Sequence, residues 1–180
     1  MSSLSLIVGT LLMTSGCNDP NLEADKLPFS ISYNIINKDG VKTNKIEQNE
    51  NFVFNLVVKN DSNEDWYIST QSLISSNFTE LYKKSNTGAD SLVGSAYLSA
   101  LCSFEAGVMI PANGNYQVDI PWVADKSLTN VPSCGLNTKD NSYLPAGEYF
   151  TKIKGFIKIF RSEITHEIPL DDYNLIVTIQ

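Results

Sequence analysis

Apolar and polar residues alternate through most of this chain, and a period of two commits a segment to a half-buried β-strand. Phe29, Ile31, Tyr33 and Ile35 alternate with Ser30, Ser32 and Asn34, and Lys38-Asp39-Gly40 then turns the chain. Residues 51–60 repeat the pattern, with Phe52, Phe54, Leu56 and Val58 on one face and Asn60-Asp61-Ser62-Asn63 as a stop. Trp66-Tyr67-Ile68 begins another strand. Val108-Met109-Ile110 and Tyr116 to Ile120 flank Asn113-Gly114, a pair that tolerates positive φ and marks a hairpin. Pro145-Ala146-Gly147 introduces a long strand from Glu148 to Phe160, bent or bulged at Gly155. Residues 164–170 and 173–179 complete the set.

Two stretches do not alternate. Val93, Tyr97, Leu101 and Phe104 stand at helical spacing, with Asp90 or Ser91 available as a cap and Gly107 beyond the end. This predicts a short helix inside an insertion over about 71–107. Residues 124–144 show neither period and are rich in Ser, Thr, Asn and Asp, which predicts a loop. Seven or eight short strands without strand–helix alternation imply an all-β, two-sheet antiparallel sandwich.

Charge and composition remove some functions. The net charge is -7 without a basic stripe, which argues against nucleic acid and against a broad electrostatic membrane patch. Charged residues make up 18% of the chain, below the usual quarter, so its surface is rich in neutral polar groups, as suits an exported protein.

The amino terminus accounts for export. The apolar run Leu4 to Met13 has the length of a secretory h-region and falls far short of the roughly 20 residues of a membrane-spanning helix. It leads through Thr14-Ser15-Gly16 to Cys17 and then to polar Asn18-Asp19-Pro20. That order resembles the leader of bacterial lipoproteins. The resemblance implies cleavage after residue 16, acyl chains on the Cys17 thiol and amine, and a place in the cell envelope, in the outer membrane. Two chains on one residue anchor stably where one is marginal. Residues 17–27 then form a flexible tether, and 28–180 the folded domain. Its size, roughly 160 residues, suits one core. With Cys17 lipidated, Cys102 and Cys134 are left to pair in an oxidising compartment. A bond closing a loop of about 30 residues contributes about 3–4 kcal/mol on the chain-entropy model.

Within the strands, Phe54 and Leu56 followed by Trp66 resemble the strand B core and strand C tryptophan of immunoglobulin-like domains. Leu144-Pro-Ala-Gly147-Glu-Tyr149 is similar to their tyrosine corner, whose phenol bonds back to main chain. The inter-sheet disulfide of that family is missing, since Leu56 and Thr151 occupy its places. Asn51-x3-Asn55-x4-Asn60 with Trp66 and the later Pro-Ala-Gly-Glu-Tyr also look like the intracellular proteinase inhibitor family of bacilli, itself a sandwich.

Chemistry-bearing motifs are sparse. The single histidine, His166, lies in an alternating run with Ile164 and Ile168, and no serine has a nucleophile elbow. No phosphate-binding glycine loop appears, and no carboxylate pair is singled out by spacing. Asp61-Ser-Asn63-Glu-Asp65 opens like a calcium loop but places Trp66 where the tight turn needs glycine, so it reads as a solvated turn. Two cysteines 32 positions apart do not make a zinc site. Neither a metal nor another cofactor is expected. Aromatic side chains offer the remaining route to a ligand: Trp122, expected as the exposed tryptophan, and Tyr67. The sequence therefore predicts a lipid-anchored, non-enzymatic envelope protein that binds a protein or a glycan through loops 71–107 and 124–144. The alternatives are a loop-presenting proteinase inhibitor and a carboxylate-dependent hydrolase acting on envelope or dietary glycan.

Overall fold

The computed structural model describes residues 27–99, 107–131, 136–171 and 173–180. The leader, Cys17, Cys102, Cys134 and most of the tether lie outside the described residues.

In chain order the first elements are strands β1 (Phe29–Asn37), β2 (Lys45–Ile46), β3 (Phe52–Asn60) and β4 (Trp66–Ser69), then helix α1 (Thr70–Ser75). Strands β5 (Leu81–Lys83), β6 (Ser91–Gly94), β7 (Tyr97–Ser99), β8 (Gly107–Ile110) and β9 (Asn115–Pro121) follow. The last are β10 (Leu136–Thr138), β11 (Gly147–Thr151), β12 (Phe156–Arg161), β13 (Ile164–Pro169) and β14 (Ile176–Ile179). They form a three-stranded sheet β1-β3-β9, a five-stranded sheet β2-β14-β11-β5-β6, a four-stranded sheet β13-β12-β4-β8 and the pair β10-β7. All neighbours are antiparallel except β14 and β2. The protein is therefore all-β with a single six-residue helix among the described residues.

The alternating residues do what their period demands. Phe29, Tyr33 and Ile35 of β1 and Phe54, Leu56 and Val58 of β3 enter a buried cluster. Trp66 and Ile68, Ile157 and Ile159, and Tyr149, Val177 and Ile179 join it from the other sheets. Two phenols sit inside: Tyr33 donates to the Phe78 carbonyl and Tyr97 to the Ile74 carbonyl at 2.8 Å. Burial raises both pKa values well above the ordinary tyrosine range, because the phenolate would lose its water.

Four expectations need correction. The helix predicted over 91–104 is absent from its described part, where β6 and β7 stand instead. Gly94 takes φ +148°, which no helix accommodates, and the Ala96 N–H is held by Thr79 Oγ1 at 3.1 Å. The helix forms at 70–75, where Ser69 Oγ caps the Ser72 N–H at 3.2 Å. Segment 71–107 thus builds β5 and β6 of the largest sheet.

Asn113-Gly114 turns the chain, with Asn113 at φ +52° and the Gly114 N–H bonded to the Pro111 carbonyl at 3.0 Å, but it makes no hairpin. Strand β8 pairs with β4 and β9 with β3, so this turn is a corner between sheets. Fully buried Asn60 holds it, its Nδ2 donating to the carbonyls of Pro111 at 3.0 Å and Glu64 at 2.8 Å.

The long strand from Glu148 is two strands, β11 and β12, in different sheets. Gly155, at φ +87°, makes the break, a backbone state in which a side chain is strained. Within 124–144, β10 pairs with β7, and Asn130 bonds across to Asp119 of β9 at 2.7 and 3.0 Å. Asn130 thus lies against the edge of the three-stranded sheet.

Candidate functional site

Because side chains alternate along β11, Tyr149 and Thr151 point into the core while Glu148, Phe150 and then Lys152 point to solvent. Register extends this outer row across the sheet. Phe150 stands opposite Tyr82 of β5 and opposite Ile176 of β14, and Tyr82 stands opposite Leu92 of β6. Residues directly opposite share a face. Leu92, Tyr82, Phe150 and Ile176 therefore form one stripe across four strands, with Leu92 57% and Ile176 54% exposed at its ends.

The stripe has internal order. The rings of Tyr82 and Phe150 lie 5.7 Å apart at 22°. Lys152 Nζ sits over both, 4.6 Å from the Tyr82 centroid and 5.0 Å from that of Phe150, a cation–π arrangement worth about 0.5–1 kcal/mol at an exposed site. The Tyr82 hydroxyl donates to Glu80 Oε2 at 2.8 Å, and this bond is the main reason its pKa is raised. Toward the other rim Lys84 pairs with Glu148 at 2.5 Å, which raises the lysine pKa. Between these rims runs an open groove of about 470 Å³, with Phe150 and Ile176 in its lining. A groove of that size with an apolar floor and charged edges suits a small ligand or a segment of a longer one.

The four-stranded sheet carries a comparable row. Met109, Tyr67, Phe160 and Thr165 are cross-strand neighbours, and the rings of Tyr67 and Phe160 lie 5.9 Å apart at 28°. Tyr67 is 39% exposed. The hollow beside Phe160 is only about 210 Å³.

Trp122 does not fit its expected role. It is 3% exposed, stacks on Phe52 at 6.2 Å and 4°, and donates its indole N–H to the Ser142 carbonyl at 2.9 Å. Segment 139–144 covers it and satisfies its one donor, so it is core. Trp66 is also buried, edge-on to Phe29 at 5.2 Å, as a strand tryptophan of a packed β-protein should be.

The carboxylates of the calcium-like turn are engaged separately. Asp61 pairs with Lys59 at 2.5 Å, and Asp65 Oδ1 accepts the Ala112 N–H at 2.8 Å. The half-buried His166 packs against the rings of Trp66 and Phe29, 5.3 and 6.1 Å away. Among the described residues no three His, Cys, Asp or Glu side chains cluster as metal ligands.

Tyr82, Leu92, Phe150, Lys152 and Ile176 were not singled out by motif. Parity held the signal: once Tyr149 is assigned inward, Phe150 must face solvent, and a solvent-facing aromatic beside a lysine is a site candidate.

No family model matches the chain, and no curated protein does. Among solved structures, a β-glucosidase from Listeria innocua in complex with gluconolactone aligns with a TM-score of 0.30 and 10% identity. The alignment covers 84% of this chain, which spans 16% of that enzyme's length.

Proposed function

We propose that this chain is a lipid-anchored cell-envelope protein whose immunoglobulin-like sandwich acts without catalysis, as a glycan-binding module. The ligand lies along the open face of the five-stranded sheet. The observation that carries this reading is the in-register stripe of Leu92, Tyr82, Phe150 and Ile176, the last two of which line a groove of about 470 Å³. Sugar rings present apolar C–H faces that stack on aromatic rings, and their hydroxyls bond to charged groups at the rim.

Several features support the rest. The Tyr149 hydroxyl donates to the Pro145 carbonyl at 2.8 Å, which is the bond a tyrosine corner makes, and Trp66 is buried as a strand C tryptophan would be. Antiparallel β7 and β10 end three residues before Cys102 and begin two residues after Cys134, respectively, which favours a disulfide between those cysteines. The leader over residues 1–16, followed directly by Cys17, supports acylation at that cysteine. Against the hydrolase alternative, the acids around the groove have other work: Glu148 pairs with Lys84, Glu80 accepts from Tyr82, and Asp90 Oδ1 accepts the Ser85 N–H at 3.2 Å.

Affinity electrophoresis against a panel of soluble polysaccharides tests the module. Retardation by at least one glycan, abolished by Phe150→Ala, is expected; retardation unchanged in Phe150→Ala would refute the groove. For the anchor, Cys17→Ser is expected to release the protein from membranes, and unchanged partitioning would refute acylation.

A further inference from the structure

The ionised groups around the groove are not equivalent. Lys84 is matched by Glu148 at 2.5 Å, and Asp90 adds a second negative charge beside it. At the opposite end Lys152 stands over the rings of Tyr82 and Phe150 and, among the described residues, forms no ion pair. Glu80 would stand opposite Lys152 if the β5–β11 register were continued by one residue. Its two oxygens accept instead from Asn77 Nδ2 at 3.1 Å (Oε1) and from the Tyr82 hydroxyl at 2.8 Å (Oε2). An ammonium held above an aromatic floor is already in place, and it gains most from a negative group on whatever lies beside it in the groove.

We propose that the ligand of this face is a uronic-acid glycan. One sugar ring packs in the groove against Phe150 and Ile176, its carboxylate bonds to Lys152 where that ammonium stands over the Tyr82 and Phe150 rings, and its hydroxyls reach the Glu148 and Asp90 end. This assignment rests on the glycan-binding reading above and makes Lys152 its specificity-determining residue.

The test is titration calorimetry of the full chain with hexagalacturonate and with the fully methyl-esterified hexamer, which keeps the sugar and removes the charge. Tighter binding of the acid by about tenfold, weakening with added salt, is expected for one well-placed charge pair. In Lys152→Met the preference should vanish while the ester binds as before, and in Lys152→Arg it should persist. Equal affinity for acid and ester would overturn the uronate assignment while leaving the glycan groove standing. A preference for dextran sulfate over hexagalacturonate would overturn it in favour of a sulfated ligand. If neither hexamer binds and no polysaccharide of the panel does, both readings fall together.

Discussion

On the four-stranded sheet the solvent-facing ring pair is Tyr67 and half-buried Phe160; on the five-stranded sheet it is Tyr82 and Phe150, both half-buried. Both pairs arise in the same way, from aromatic residues of solvent parity on adjacent antiparallel strands, and in both a lysine approaches a ring. What surrounds them differs. Phe160 lies over Gly107, so closely that a Cβ there would come within 2.7 Å of its Cζ, and the hollow beside it is small. Phe150 lines a groove more than twice as large, and the lysine above it spans both rings. A solvent-facing aromatic pair is thus ordinary cover for a sheet. Space beside the rings and a bridging cation without a carboxylate partner are what set one face apart.

The largest effect separates the two sides of one strand. Tyr149→Ala empties a fully buried site and is expected to cost about 3–5 kcal/mol in urea denaturation, whereas Phe150→Ala removes a surface cross-strand partner and should cost under about 1 kcal/mol. Comparable losses would mean that Phe150 is structural, and the contrast between the faces would collapse. Next comes the contrast in binding. Phe150→Ala should weaken glycan affinity by roughly 30-fold, the scale of a hot-spot residue, while Phe160→Ala stays within about twofold. The reverse order would move the site to the four-stranded face.

Gly107→Ala sharpens the comparison from the other side. The added methyl meets Phe160 Cζ and, at 3.2 Å, Tyr67 Cβ, so about 1–3 kcal/mol of stability should be lost by overpacking with glycan affinity unchanged. The smallest effect is in Tyr82. Its pKa is raised, chiefly by the bond to Glu80, so that bond's contribution is complete below the ordinary tyrosine pKa of about 10 and is lost as pH rises through the higher folded value. The ultraviolet difference titration between the parent and Tyr82→Phe should therefore have its midpoint above 10; a midpoint at or below 10 would show that the bond does not hold in solution.

Strand identity was legible wherever one face is dry and the other wet. β1 and β3 follow from alternation alone, and Tyr149 and Trp66 are buried, the tyrosine bonding back to the Pro145 carbonyl. Sheet membership was not legible. A turn such as Asn113-Gly114 has the same local chemistry whether it closes a hairpin or rounds a corner, and only the distant Asn60 decides between them. Helical spacing at Val93 and Tyr97 misled because Gly94 breaks it while Tyr97 is fixed by a partner 23 residues away, at Ile74. Trp122 was misplaced because burial depends on what crosses over it, here segment 139–144. The candidate face was half legible: parity exposes Phe150, but nothing local reveals that Tyr82 and Ile176 flank it.

Chemical-shift mapping of the protein titrated with hexagalacturonate tests the central claim most directly, because it reports position and affinity together. Saturable shifts gathered at Tyr82, Leu92, Phe150, Lys152 and Ile176 are expected. Shifts gathered instead at Tyr67, Met109 and Phe160, or along residues 124–131, would contradict the assignment of the ligand to the five-stranded sheet.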